Sequence, residues 1–90
     1  MPITITRITN LQIIEKVDKN GDEYFVLFDN DREKGDNAFL AFRGRVKEGW
    51  NDLFKHWKDI KEVEIEWEED EKGKKILNIW CNTPDNIFIY

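Results

Sequence analysis

The sequence predicts an all-β-dominated single domain over residues 1–90, with one helix, in the order β-β-β-α-β-β and with a short β-like C-terminal tail. Three observations carry this prediction. Several stretches alternate apolar and polar residues with the period of two that is typical of strands. Residues 46–60 change to the spacing of an amphipathic helix. The 90 residues are 40% hydrophobic, which suits one small domain with a dense core.

The clearest predicted element is a β-hairpin over residues 61–80. From Val63 to Trp67 apolar residues alternate with glutamates, as in a strand with one buried face. A polar turn at residues 69–75 contains Gly73, and an apolar returning strand follows at residues 76–80.

Residues 3–17 predict one long first strand. Ile8 and Ile14 break the parity of its other apolar residues, so we expect a bulge or sharp bend near residues 7–10. A tight turn follows at residues 18–22, where Asn20 precedes Gly21 in a dipeptide typical of hairpins.

The second and third strands are predicted at residues 23–29 and 38–43, with a polar loop between them. Both strands carry apolar residues at both parities. The helix of residues 46–60 contains Gly49, which weakens its first turn and favours a start near that residue. After the hairpin we expect a turn at residues 83–86 and a short strand at residues 86–90.

This order, with a long bent first strand and a helix before the final hairpin, resembles the OB-fold, the oligonucleotide- and oligosaccharide-binding barrel. The segment KDIKEVEIEWEEDEKGKKILNIW, residues 58–80, is similar to the last two strands of such domains. The resemblance covers residues 3–80 and implies a small five-stranded OB-like barrel. An SH3-like or other small barrel is the competing architecture.

The resemblance also implies a ligand, single-stranded nucleic acid or oligosaccharide, bound across the second and third strands between the loops at residues 18–22 and 69–75. A barrel interior needs only one parity of each strand, so the surplus apolar residues must face outward. If Arg43 points to solvent, Phe39 and Ala41 share its face while Leu40 and Phe42 turn inward. The predicted nucleic-acid-binding residues are Tyr24, Phe28, Phe39, Arg43, Arg45, Lys47 and Trp80.

Three alternatives to this site remain open. Residues 87–90 or a second protomer could cover the same face, and Trp80 could belong to the core instead. The parity of the second strand is also ambiguous, although the polar tip of Tyr24 favours an outward position.

The net charge of −5 argues against bulk electrostatic capture of nucleic acid or of a membrane surface. Binding to nucleic acid is therefore expected to depend on base stacking and to be modest in affinity. The glutamates of the hairpin are expected to keep an exposed sheet face soluble and to prevent the edge of the sheet from pairing with another chain.

No catalytic constellation is found in the sequence. The chain has no serine, its one histidine, His56, lies on the polar side of the helix, and its one cysteine, Cys81, ends an apolar strand. The acidic loops lack the spacing of calcium ligands. We therefore expect no enzyme activity, no cofactor and no metal site, and a cytoplasmic protein without a membrane partner.

Two functions follow as hypotheses. The first is a non-enzymatic module that binds single-stranded DNA or RNA through the aromatic face of the second and third strands. The second is a protein-interaction module: a homodimer, a subunit of a complex, or an acidic inhibitor that mimics nucleic acid.

Overall fold

A computed structural model describes residues 2–81, which form one six-stranded sheet and one helix. The predicted turn at residues 83–86, the predicted strand at 86–90 and the alternative in which residues 87–90 cover the sheet lie outside the described residues. The elements are β1 (Thr4–Ile8), β2 (Leu11–Val17), β3 (Glu23–Asp29), β4 (Ala38–Phe42), α1 (Trp50–His56), β5 (Val63–Asp70) and β6 (Gly73–Cys81).

The sheet has the strand order β1-β5-β6-β4-β3-β2. All neighbours are antiparallel except β4 and β6, which run parallel and pair at Phe39–Lys74 and Leu40–Lys75. The β-dominated class with one helix is confirmed, but four strands precede α1 where three were predicted. A closed five-stranded barrel is not confirmed, because the pairing gives one open sheet of six strands.

The predicted long first strand is divided into β1 and β2 by a bend at Thr9 and Asn10. The bend was expected, and it explains the sixth strand. Its two halves lie at opposite edges of the sheet, β1 on β5 and β2 on β3. Because only two residues join these halves, the sheet must curl until its two edges approach each other at this corner.

The predicted hairpin is present, but its turn is shorter than expected. β5 and β6 are joined by Glu71 and Lys72, and the strands shift register at a bulge between Glu66 and Trp67. Lys74 and Lys75, predicted in the turn, lie in β6 with their side chains buried. The ammonium group of Lys75 donates to Asp70 Oδ1 at 3.0 Å, and that of Lys74 pairs with Asp36 and, at 3.5 Å, with Glu69.

The helix is shorter than the apolar spacing predicted. It begins at Trp50, directly after Gly49, whose left-handed backbone (φ 92°) turns the chain into the first turn. Before that turn, the backbone N–H of Lys47 donates to the Leu77 carbonyl at 2.8 Å, and the Glu48 carbonyl accepts from the N–H of Ile79 at 3.0 Å. These bonds fix the start of α1 against β6. A helix of seven residues is too short to cross a membrane, and no other helix occurs in residues 2–81.

The core lies on one face of the sheet, where residues of the strands pack with Leu53 and Trp50 of α1. Phe25, Phe39 and Leu53 are completely buried in it, and the indole of Trp67 closes it near β1. Burial of Trp67 leaves no polar atom unpaired, because its Nε1–H donates to Thr6 Oγ1 at 3.0 Å. The remaining core residues are Ile8, Leu27, Ala41, Val46, Ile60, Val63, Ile65, Ile76, Ile79 and Cys81.

Candidate nucleic-acid interface

The candidate interface is the sheet face of β3 and β4 that points away from the core. Strand alternation sends every second side chain to this outer face. Tyr24 and Phe42 lie opposite each other across the two strands and stack with ring centroids 5.0 Å apart and an interplanar angle of 29°. Phe28, on the same side of β3, is half-buried as they are. We call Tyr24, Phe28 and Phe42 the aromatic platform.

The prediction that Phe39 and Ala41 face outward is wrong. Both are fully buried, and the ring of Phe39 meets the indole of Trp67 edge-on at 5.1 Å. The physical reason is that β4 ends at Phe42, and residues 43–45 form a turn. Arg43 therefore does not continue the alternation of the strand, and its exposure says nothing about Phe39. Phe42 takes the outward position that was assigned to Phe39.

The outward-facing residues of β3 are the ones that the polar hydroxyl of Tyr24 predicted. Phe25 and Leu27 are buried in the core, while Tyr24 and Phe28 lie on the opposite side. Val26, between them on the outer face, is only 5% exposed. Its register partners Ile14 and Leu40 flank it on the two neighbouring strands, and the three aliphatic side chains form the floor beside the aromatic platform.

The predicted basic cluster contributes less charge than the sequence suggested. The Arg45 guanidinium is bound to the carboxylates of Glu68 at 3.1 Å and Asp70 at 3.5 Å. Arg43 and Lys47 are exposed, and within residues 2–81 no carboxylate pairs with either. These two cations are therefore available to a ligand, whereas Arg45 serves to join the turn after β4 to β5.

Lys16 is a basic residue that sequence reasoning missed. It is exposed on β2 and lies opposite Tyr24 in the register, so its ammonium group borders the aromatic platform on the side away from Arg43. Gln12, Ile14 and Lys16 alternate along β2, so the sequence indicates that they share one face of the strand. Only the pairing of β2 with β3 shows that this is the face of Tyr24.

Trp80 is not close to the aromatic platform. It shares a face with Asn78 and lies opposite Glu64 on β5, half-buried and outside the core cluster. β6 pairs with β4 at Lys75, five residues earlier. At about 3.3 Å per residue, Trp80 lies roughly 17 Å farther along the sheet. The structure brings Tyr24, Phe28 and Arg43 to one region, but not Phe39 or Trp80.

Both loops expected to flank the interface are held by aspartates at or near their starts, Asp18 and Asp70. Asp18 Oδ1 accepts the backbone N–H groups of Asn20 at 2.8 Å and Asp22 at 3.0 Å. Asp70 Oδ1 accepts from the N–H of Lys72 at 2.8 Å. The Lys75 ammonium and this N–H lower the pKa of Asp70 below its ordinary value of 3.8. Both loops are thus ordered by aspartate carboxylates that accept backbone N–H groups.

An open cavity of about 920 Å³ lies at one end of the aromatic platform, between the β2–β3 turn and α1. Phe42 and Arg43 line it from the β4 side, and Trp50 and Phe54 line it from the helix. Sequence reasoning missed this cavity. The amphipathic spacing of residues 46–60 includes Phe54 among its apolar positions, which predicts burial, but its side chain is 50% exposed.

The thiol of Cys81 is buried and held in its protonated form. Burial, with a smaller effect from the Asp52 carboxylate, raises the pKa of the Cys81 thiol to about 12, so the nucleophilic thiolate is scarcely populated at neutral pH. Residues 2–81 contain no group of three or more histidine, cysteine or carboxylate side chains placed to hold a metal ion.

Comparison with protein-family models, with curated proteins and with solved structures gave no match to this chain. A function for the aromatic platform therefore has to be argued from its own residues.

Proposed function

We propose that the protein is a non-enzymatic module that binds single-stranded DNA or RNA on the outer face of β3 and β4. The observation that carries the proposal is the stacked pair of Tyr24 and Phe42 on the outer face of the sheet. Lys16 and Arg43, which have no carboxylate partner in residues 2–81, lie on either side of this pair. Every base has a face that can stack on an aromatic ring, and each stacked base contributes about 1–3 kcal/mol. The cations are placed to meet the phosphates that follow such bases.

The proposed architecture is an OB-like barrel that stays open. Four features support it: the bent N-terminal strand with its halves at both sheet edges, the helix between β4 and β5, the parallel pairing of β4 with β6, and the final hairpin. In OB-folds the second and third strands carry the ligand. Here these strands are β3 and β4, which carry the aromatic platform.

The charges of the site predict a ligand held mainly by stacking. The net charge of the chain is −5, and the cations that border the platform without a carboxylate partner in residues 2–81 are few, with Lys16 and Arg43 on either side of it. A protein that neutralises few phosphates releases few counterions, so its affinity falls little as salt is added. We expect weak, sequence-tolerant binding rather than tight capture of duplex DNA.

The first test is an anisotropy titration of fluorescein-labelled oligo-dT and oligo-U with the wild-type protein and with Tyr24→Ala and Phe42→Ala. Each substitution should weaken binding by about 1–3 kcal/mol, because each removes a stacking surface. Phe54→Ala is the matched control, since it removes an exposed ring that lies on α1. Unchanged affinity in both platform variants, with their folds confirmed by circular dichroism, would refute the site.

A second comparison separates phosphate contacts from stacking. Lys16→Gln and Arg43→Gln should each weaken binding to oligo-dT and oligo-U alike and reduce the dependence on salt. Lys34→Gln removes the same charge from an exposed loop residue that has no ion pair in residues 2–81. If Lys34→Gln weakens binding as much as the two platform variants, the attraction is diffuse and the proposed phosphate contacts are wrong.

A further inference from the structure

The cavity between the β2–β3 turn and α1 has a wall of aromatic side chains. Trp50 and Phe54 line it from the helix and Phe42 from the end of β4. Trp50 is fixed in place because its ring packs on the core residue Phe25, with centroids 5.4 Å apart. Phe54 is 50% exposed, while its neighbour Leu53 is fully buried. The inner wall of the groove is therefore formed by Trp50, which is packed on the core, and its outer part exposes the ring of Phe54 to water.

The opposite side of the groove is negatively charged. Asp18, Asp22 and Glu23 line it, and among the described lining residues Arg43 is the one cation. The described lining therefore has a net negative charge. Asp18 uses one oxygen to hold the turn, whereas the carboxylates of Asp22 and Glu23 have no ion-pair partner in residues 2–81.

We propose that this groove binds a basic peptide segment of a partner protein, with a lysine or arginine side chain laid against the aromatic wall. The methylene stem of such a side chain can cover the exposed ring of Phe54, and its cationic head is attracted both by ring faces and by nearby carboxylates. Asp22 and Glu23 supply these carboxylates. The same carboxylates repel phosphates, which favours a basic peptide over nucleic acid as the occupant of the groove.

This site is distinct from the proposed nucleic-acid interface and does not depend on it. The groove uses Phe54 and the acidic turn, whereas the interface uses the rings of Tyr24 and Phe28 on the sheet. Phe42 and Arg43 border both, so substitutions of these two residues are not used to separate them.

The test measures the anisotropy of a fluorescein-labelled peptide of alternating lysine and glycine, titrated with the full chain. Asp22→Asn combined with Glu23→Gln should weaken binding about five- to tenfold, as expected for two exposed charge contacts. Phe54→Ala should weaken it about three- to fivefold. Tyr24→Ala should leave peptide binding unchanged while it weakens binding of oligo-dT. A matched peptide of alternating glutamate and glycine should not bind.

The control for net charge is Glu33→Gln combined with Glu71→Gln. Both residues are exposed and lie outside the groove, and the double variant changes the charge of the chain by the same amount. Binding equal to that of the wild type in this control supports a local site. Equal weakening by the two double variants, full binding by Phe54→Ala, or no binding of the lysine peptide to the wild type would each overturn the proposal.

Discussion

Replacing Phe39 by alanine tests which side of β4 faces the core. Phe39 is completely buried between the sheet and Trp67, and Arg32 lies over its ring with the guanidinium carbon 5.5 Å from the centroid. Alanine would leave a cavity that these neighbours could fill only partly. Phe28 is the matched control, since it is the same residue type on the adjacent strand but on the outer face.

The expected loss can be worked from this burial. Truncation of a fully buried phenylalanine costs about 3–5 kcal/mol, which includes the lost transfer energy and the remaining cavity. A domain of 90 residues has a total free energy of unfolding of about 5–13 kcal/mol. Phe39→Ala should therefore remove roughly a quarter or more of the stability. Phe28→Ala, at a half-buried position, should cost about 1 kcal/mol.

The assay is equilibrium urea unfolding followed by circular dichroism. The free energies of unfolding are compared for variants whose m value, the slope of that free energy against urea concentration, equals that of the wild type. The reasoning predicts a much lower midpoint for Phe39→Ala than for Phe28→Ala. A reversed order, or a loss below about 1 kcal/mol for Phe39→Ala, would refute the assignment of the two faces. It would also mean that the outward-facing aromatic residues are those on the other side of the sheet.

Three further predictions concern the turn before α1, a surface carboxylate and the cysteine. Gly49→Ala should destabilise the fold by more than about 2 kcal/mol in the same unfolding assay, because its φ is positive and its new Cβ would overlap the backbone of β6. Gly44→Ala, where a Cβ meets open space, should be nearly neutral. The hydrogen bond from Lys74, with a second from Arg32, lowers the pKa of Asp36 below 3.8, so ionised Asp36 stabilises the fold above that pH. This contribution is lost as the pH falls through the lowered value, and the melting temperature of Asp36→Asn should fall less than that of the wild type below pH 3.8. Cys81 should react with a thiol reagent at pH 8 only after unfolding; rapid reaction of the native protein would contradict its burial.

The fold could be predicted from sequence where one local pattern decided the outcome. The alternation from Val63 to Trp67 placed β5, and the broken parity of residues 3–17 placed the bend that separates β1 from β2. The start of α1 was expected near Gly49, whose left-handed backbone lies just before the helix. Each of these signals is contained within a few neighbouring residues.

Predictions failed where residues distant in sequence decide the outcome. Lys74 and Lys75 were assigned to a turn because they are polar. They lie in β6 because Asp36 and Asp70 neutralise them, and Asp36 is 38 residues away from Lys74. The exposure of Phe54 likewise depends on where the core ends, which helix spacing alone does not reveal.

The candidate site was predicted only in part for the same reason. Tyr24 and Phe28 were placed on the outer face by the polar tip of one side chain, but β4 has apolar residues at both parities and offers no such marker. Arg43 was used as that marker, and the turn at residues 43–45 made it misleading. Only the register between β3 and β4 identifies Phe42 as the partner of Tyr24.

The most direct test of the proposed function is the salt dependence of oligo-dT binding, measured by anisotropy for the wild type and for Tyr24→Ala. Two phosphate contacts, one each from Lys16 and Arg43, predict saturable binding whose logarithmic slope against salt is about −1.4. Tyr24→Ala should keep this slope and bind more weakly at every salt concentration, because it removes stacking alone. No binding by the folded wild type, or a variant that binds as tightly as the wild type, would contradict a nucleic-acid interface on this face.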